Sequence, residues 1–125
     1  MSASVLNESV LDELRASVGD DRGFVVDLIQ AYLSDGEKHV ADVEAAVADG
    51  DAAALVRPAH TLKSSSATVG AESLAAAARE LELAGRSGTL DDAASGRAAG
   101  LRAAWNEAGA ALRAWIASGH AGDAG

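Results

Sequence analysis

The stretch Leu101-Arg102-Ala103-Ala104-Trp105-Asn106-Glu107-Ala108-Gly109-Ala110-Ala111-Leu112-Arg113-Ala114-Trp115 decides the fold. Leu101, Trp105, Ala108, Leu112 and Trp115 recur at alternating spacings of four and three, the pattern of a helix that presents one seam to a bundle. Both tryptophans read as anchors of that seam, not as a ligand box. Working outward, this helix is expected over about residues 90–117. Thr89 and Asp92 form a capping box at its start, and Gly96, Gly100 and Gly109 weaken it.

The same periodicity runs upstream. Asn7 is an N-cap, Leu6 and Leu11 form a hydrophobic staple, and Val10, Leu11, Leu14 and Val18 define a short first helix that Gly19 ends. Asp21 caps a second helix of about residues 22–48, in which Val25, Leu28, Ile29, Tyr32, Val40, Val43 and Val47 keep one phase and Gly36 is expected to kink the axis. Gly50-Asp51 hands over to a third helix of about residues 52–69, bent at Pro58 and stopped at Gly70. A fourth, about residues 71–86, buries Leu74, Ala77, Ala78, Leu81 and Ala84 and ends in Gly85-Arg86-Ser87-Gly88. Residues 119–125 are expected to be a disordered tail on a domain of residues 1–118. Short connections make neighbours antiparallel, so the expected architecture is all-α: an up-down-up-down four-helix bundle with an additional short N-terminal helix across one end.

Composition agrees. A chain of 125 residues is the size of one domain. Hydrophobic residues are 49% but aromatic residues only 3%, and there are 31 alanines and a single proline, so the core is thin and made of closely approaching helices. A formal net charge of -9 repels a phosphate backbone and disfavours nucleic-acid binding. The absence of cysteine removes disulfides, thiolate zinc sites and cysteine nucleophiles together. No eighteen apolar residues run together and the first residues carry no basic flank, so a soluble, untargeted, cytoplasmic monomer is expected.

Several chemistries find no pattern here. His39, His60 and His120 lack a second ligand at zinc spacing, and Asp20-Asp21, Asp91-Asp92 and Glu80 with Glu82 do not face one another on a helix as a catalytic pair must. No strand and glycine-rich turn precede a helix to cradle a nucleotide phosphate. Ser64 to Ser66 lack the strained turn of a serine nucleophile.

One residue stands apart from the core pattern. At about 100° per residue, Leu55, Ala59, Leu62, Ser66 and Val69 fall within about 40° of one direction, whereas His60 points about 140° away. Val56, Lys63, Ser64 and Ala67 flank it. Neutral imidazole is a competent nucleophile near neutral pH and its nitrogen can carry a phosphoryl group, whose charge an ammonium one turn later would offset. Small neighbours leave room for a partner to bring its reactive group to the ring. Position alone leaves open a surface histidine without a role.

The string Ala59-His60-Thr61-Leu62-Lys63-Ser64-Ser65-Ser66-Ala67-Thr68-Val69-Gly70-Ala71 resembles the signature of histidine phosphotransfer (HPt) domains. Leu74, the Leu81-Glu82 pair, Arg86-Ser87-Gly88 and the upstream Gly50-Asp51 extend the resemblance to about residues 8–117. It implies that His60 is the phosphoacceptor and Lys63 the lysine that stabilises its phosphoryl group, with Thr61 and Leu62 in the slots between them. Ser64 departs from the glycine usual after that lysine; its hydroxyl narrows access and could bond a phosphoryl oxygen. Ser65 and Ser66 match the family's small-residue pair, with Ser66 expected to face the core and bond a backbone carbonyl. Glu82 occupies a position where the family often has a polar residue facing the histidine; of ring orientation and solvent exposure, solvent is the expectation here. Val56, Arg57, Ala67, Ala71 and Arg79, with Arg86, are expected to border an apolar docking surface with a charged rim.

The function so implied is a phosphocarrier that relays a phosphoryl group between receiver-domain aspartates of a two-component phosphorelay, without kinase activity of its own. Its partners would be response-regulator receiver domains and hybrid sensor histidine kinases. It would need no cofactor, Mg2+ residing on the receiver. The alternatives are a helical interaction or adaptor bundle and the phosphoacceptor segment of a larger sensor or chemotaxis kinase.

Overall fold

Side-chain caps start the first three helices. Asn7 accepts from Ser9 N–H, Asp21 from Phe24 N–H and Asp51 from Ala54 N–H, each satisfying an amide that lacks an intrahelical partner. A computed structural model describes residues 5–118 with their side chains and carries the last helix on to Ala124. The expected disordered tail, residues 119–125, lies outside the fully described residues. The helices are α1 (Glu8–Ser17), α2 (Arg22–Ala48), α3 (Ala52–Thr68), α4 (Glu72–Arg86) and α5 (Ala93–Ala124), with no strand among the described residues.

The start of the last helix differs from expectation. The fifth helix begins at Ala93, because the Asp91 carboxylate accepts from the Ala93 amide at 3.0 Å in place of the Thr89–Asp92 box. At Gly36, α2 is helical as expected, and the glycine also allows close approach: the Trp105 ring lies where a Cβ would stand.

The packing closes a ring. α3 contacts α2 and, most extensively, α4, while α5 contacts α4 and α2. Fully buried aliphatic side chains from all five helices fill its centre, including Leu11, Ile29, Val43, Leu55, Leu62, Leu74, Leu81, Leu101 and Leu112. Arg102 of α5 grips Glu44 of α2 through two bonds of 3.0 and 2.8 Å and reaches Glu37 at 2.9 Å, while Trp105 Nε1 donates to Glu37 at 3.0 Å. Near the other end of α2, Arg22 donates to the Ile116 carbonyl at 2.6 Å and stacks over Trp115. α1 is tied to the α3–α4 turn, where Asn7 N–H donates to the Gly70 carbonyl at 2.8 Å.

Candidate functional site

The core face read from the sequence of α3 is the buried face: Leu55, Ala59, Leu62, Ser66 and Val69 are sealed inside. His60 accordingly projects outward, its side chain 52% exposed. Pro58, itself buried, is accommodated within a continuous α3.

Glu82 corrects the expectation of solvent. Only 4% of it is exposed, and it lies beneath His60, where three donors converge on its carboxylate. Oε2 stands 3.0 Å from His60 Nδ1 and accepts from Arg86 Nε and Nη2 at 2.9 and 2.7 Å. Oε1 lies 2.8 Å from the Lys63 ammonium. A buried carboxylate survives because His60 and Arg86 bond one oxygen and the Lys63 ammonium faces the other. The Lys63 bond above all holds the Glu82 carboxyl down at about 2, with Arg86 and His60 adding to it and burial opposing.

The close approach of α4 to α3 is what puts Glu82 there. A Cβ on Gly85 would stand 2.9 Å from the Ala52 carbonyl oxygen and 2.9 Å from a Val56 methyl, so only glycine lets the helices meet one turn from Glu82.

This arrangement selects one ring nitrogen. An ionised carboxylate can only accept, so the bond to Glu82 requires a proton on Nδ1. In the neutral ring the lone pair is then on Nε2, directed away from Glu82.

The linkage has a sign that can be measured. A carboxyl whose folded pKa is depressed stabilises the fold above its unfolded value of about 4.5 and loses that contribution as pH falls towards about 2. The stability advantage of the native chain over Glu82→Gln should therefore shrink as pH is lowered from about 5 to 2, read by urea unfolding at each pH. An advantage that stays constant across that range contradicts the pairing.

The remaining residues singled out from the sequence divide. Arg57, Ser64, Ala67, Arg79 and Arg86 are exposed and Val56 is partly buried, all on α3 or α4. Ala71, by contrast, is fully buried at the turn between these helices and offers no docking surface, because its methyl belongs to the core cluster. Ser66 faces the core as expected, but its hydroxyl bonds the Tyr32 hydroxyl at 2.7 Å and not a backbone carbonyl. Burial there pushes the Tyr32 phenol up to about 12, keeping it protonated, with the Ser66 bond partly opposing. Back-bonding to the helix falls to Ser65, which donates to the Thr61 carbonyl at 2.9 Å. Gly85 and Tyr32 were not identified from the sequence as supports of this region. For Gly85 a signal existed, a glycine in an otherwise alanine-rich helix three residues after Glu82.

Among the described residues, no group of three His, Cys, Asp or Glu side chains is placed to hold a metal ion, and no helix is long and apolar enough to cross a membrane.

Comparison with known proteins bears on this geometry. The sequence pattern of the Hpt domain family matches residues 27–115, which include all of α3 and α4. A search of curated proteins finds no match. Among solved structures, the crystal structure of histidine-containing phosphotransfer protein B (HptB) from Pseudomonas aeruginosa PAO1 superposes with a TM-score of 0.82 at 27% identity, covering 94% of this chain and 98% of that one. With a half-exposed histidine on α3, a lysine one turn on and a matching pattern over most of its length, the chain belongs to the Hpt domain family, the histidine phosphotransfer domains of two-component phosphorelays.

Proposed function

We propose that this chain is a phosphocarrier in which His60 takes a phosphoryl group from an aspartyl phosphate of one receiver domain and delivers it to another. The observation that carries the reading is the half-exposed His60 ring held through Nδ1 by the buried Glu82, which leaves Nε2 to react. Nε2 attacks the phosphorus in line while the receiver's carboxylate departs. The receiver supplies Mg2+ and its own charged residues for that step. This chain contributes position and nucleophile, and needs neither a cofactor nor a kinase activity.

The scaffold suits that role as an up-down-up-down bundle of α2 to α5, with α1 short and across one end. In support, contacts pair early residues of one helix with late residues of the helix packed against it: Arg22 with Ile116 and Glu44 with Arg102 across α2 and α5, and Ala52 with Gly85 across α3 and α4. Docking is assigned to the surface around His60. Val56 and Ala67 contribute apolar area, and Arg57, Arg79 and Arg86 a cationic rim. The proposed partners are receiver domains and hybrid sensor kinases, and the proposed setting is a monomer in the cytoplasm.

The direct test mixes the chain with receiver domains charged by acetyl phosphate and looks for an acid-labile, base-stable adduct. Binding without transfer, across all receivers tried, would make it an interaction bundle instead. Lys63 is assigned the stabilisation of the phosphoryl group. Lys63→Ala should slow transfer or shorten the phosphohistidine's lifetime by about tenfold, the scale of one charge-assisted contact, with the circular dichroism spectrum unchanged. Unaltered rate and lifetime would remove Lys63 from the mechanism.

A further inference from the structure

We infer that Glu82 keeps a proton on Nδ1 of His60 in both the free and the phosphorylated chain, so that the phosphoryl group moves on and off the ring without any proton being taken up or released. This rests on the proposed relay through His60 and adds to it what the carboxylate does.

In the form of the free chain that attacks, the ring carries hydrogen on Nδ1 and a lone pair on Nε2. When Nε2 attacks, a nitrogen–phosphorus bond forms, the phosphorus–oxygen bond to the receiver breaks, and its electron pair leaves with the receiver's carboxylate. The ring now carries phosphorus on Nε2 and hydrogen on Nδ1, and is a cation. In the return step a receiver carboxylate attacks phosphorus, the nitrogen–phosphorus pair goes back to Nε2, and the neutral ring with its Nδ1 hydrogen is restored. Neither direction calls for a proton, provided Nδ1 never loses its own.

Glu82 meets that condition. Its carboxylate is 4% exposed and 3.0 Å from Nδ1, so the cationic phosphorylated ring forms directly against a fixed anion shielded from water. An amide in that place would accept the same hydrogen bond without the charge. The cationic ring would then release its Nδ1 proton to solvent at mildly alkaline pH, and would have to recover one before the phosphoryl group could leave a neutral imidazole.

Arg57 of α3 and Arg79 of α4 stand exposed on the rim of this surface. On α3, Lys63 pairs with Oε1; on α4, Arg86 pairs with Oε2. Both neutralise Glu82 in part, and the phosphoryl group arriving on Nε2 brings negative charge of its own to set against them. From α2, Asp35 and His39 line a groove with Thr61 and Ser65, on the flank of α3 opposite Lys63. His39 is the imidazole that lines this groove, and a His39→Gln background removes it.

In that background, the partition of phosphate between His60 and a receiver domain charged by acetyl phosphate is measured from about pH 7 to 8.5, with Glu82 and with Glu82→Gln. One released proton makes an equilibrium change by up to about tenfold per pH unit. Glu82→Gln should shift towards phospho-His60 with this slope relative to the Glu82 chain, the receiver's own titration cancelling in the comparison. Nitrogen-15 NMR of the phosphorylated chain should also show Nδ1 protonated throughout that range. A deprotonated Nδ1 at about pH 8 overturns the inference even if the variant fails to fold. Equal pH slopes for the two chains also overturn it, leaving the relay intact, whereas absence of transfer to His60 from every receiver overturns the relay itself.

Discussion

His60→Ala is expected to accept no phosphoryl group from any charged receiver, while its thermal unfolding stays close to that of the parent. The two halves of this result have separate causes. The imidazole side chain is 52% exposed, so deleting it removes little packing, and Glu82 beneath it keeps Lys63 and both bonds from Arg86. Truncation of an exposed side chain away from core and caps shifts stability by about 0.5 kcal/mol or less. Chemistry suffers the opposite fate, because no other group occupies the position above Glu82 from which a lone pair can reach an incoming phosphorus. Radiolabel transfer followed by acid and base treatment reads the first half, and a circular dichroism melt the second. Label retained at the parental level would show that the acceptor lies elsewhere, with His39 the first place to look.

Trp105→Ala should be the most damaging single truncation for the fold. Trp105 is 5% exposed, its ring packs 5.3 Å from that of Tyr32, and its Nε1 donates to Glu37 at 3.0 Å. It also covers Gly36, whose missing side chain admits it. Removing a buried aromatic side chain costs about 3–5 kcal/mol, against a total stability of about 5–15 kcal/mol for a domain. In a core made largely of alanine, valine and leucine, few side chains are long enough to collapse into the space it leaves. Urea unfolding should show a lower midpoint at an unchanged slope, and Trp105→Phe should recover part of the loss. A loss below about 1 kcal/mol would mean that the α2–α5 seam relaxes around the gap, contrary to close packing.

Trp105 also shows where sequence reading was sufficient. Its spacing from Leu101, Ala108 and Leu112 placed it on the buried seam, and all four are buried. The caps at Asn7, Asp21 and Asp51 were equally legible, since a capping side chain acts on amides two or three residues away. The start of α5 was not. Thr89, Asp91 and Asp92 offer competing caps within four residues, and local preference does not choose between them. Gly36 is legible as an exception within its helix, but its close approach to Trp105 is not, because an approach is a property of two helices.

The site divides along the same line. Periodicity on α3 showed that His60 points out and Ser66 points in, and the residues around His60 showed the family resemblance. What lies across from those side chains is set by a second helix. Glu82 is 22 positions from His60 in the chain, and its wheel position next to Leu81 is equally compatible with water and with a neighbour. Ala71, small and apolar, gave no hint whether it faced a partner or the core.

By itself the amino-acid order determined the number of helices, their approximate limits, and the outward histidine with a lysine one turn later, because hydrophobic period and capping act over one or two turns. Only the tertiary structure decided that Glu82 is a buried anion beneath the ring, that Ser66 bonds Tyr32 and that Ala71 is sealed in. Each depends on the distance between two helices, here governed by glycines that allow contact at Gly85 and Gly36, and a pattern along one chain segment carries no information about that distance.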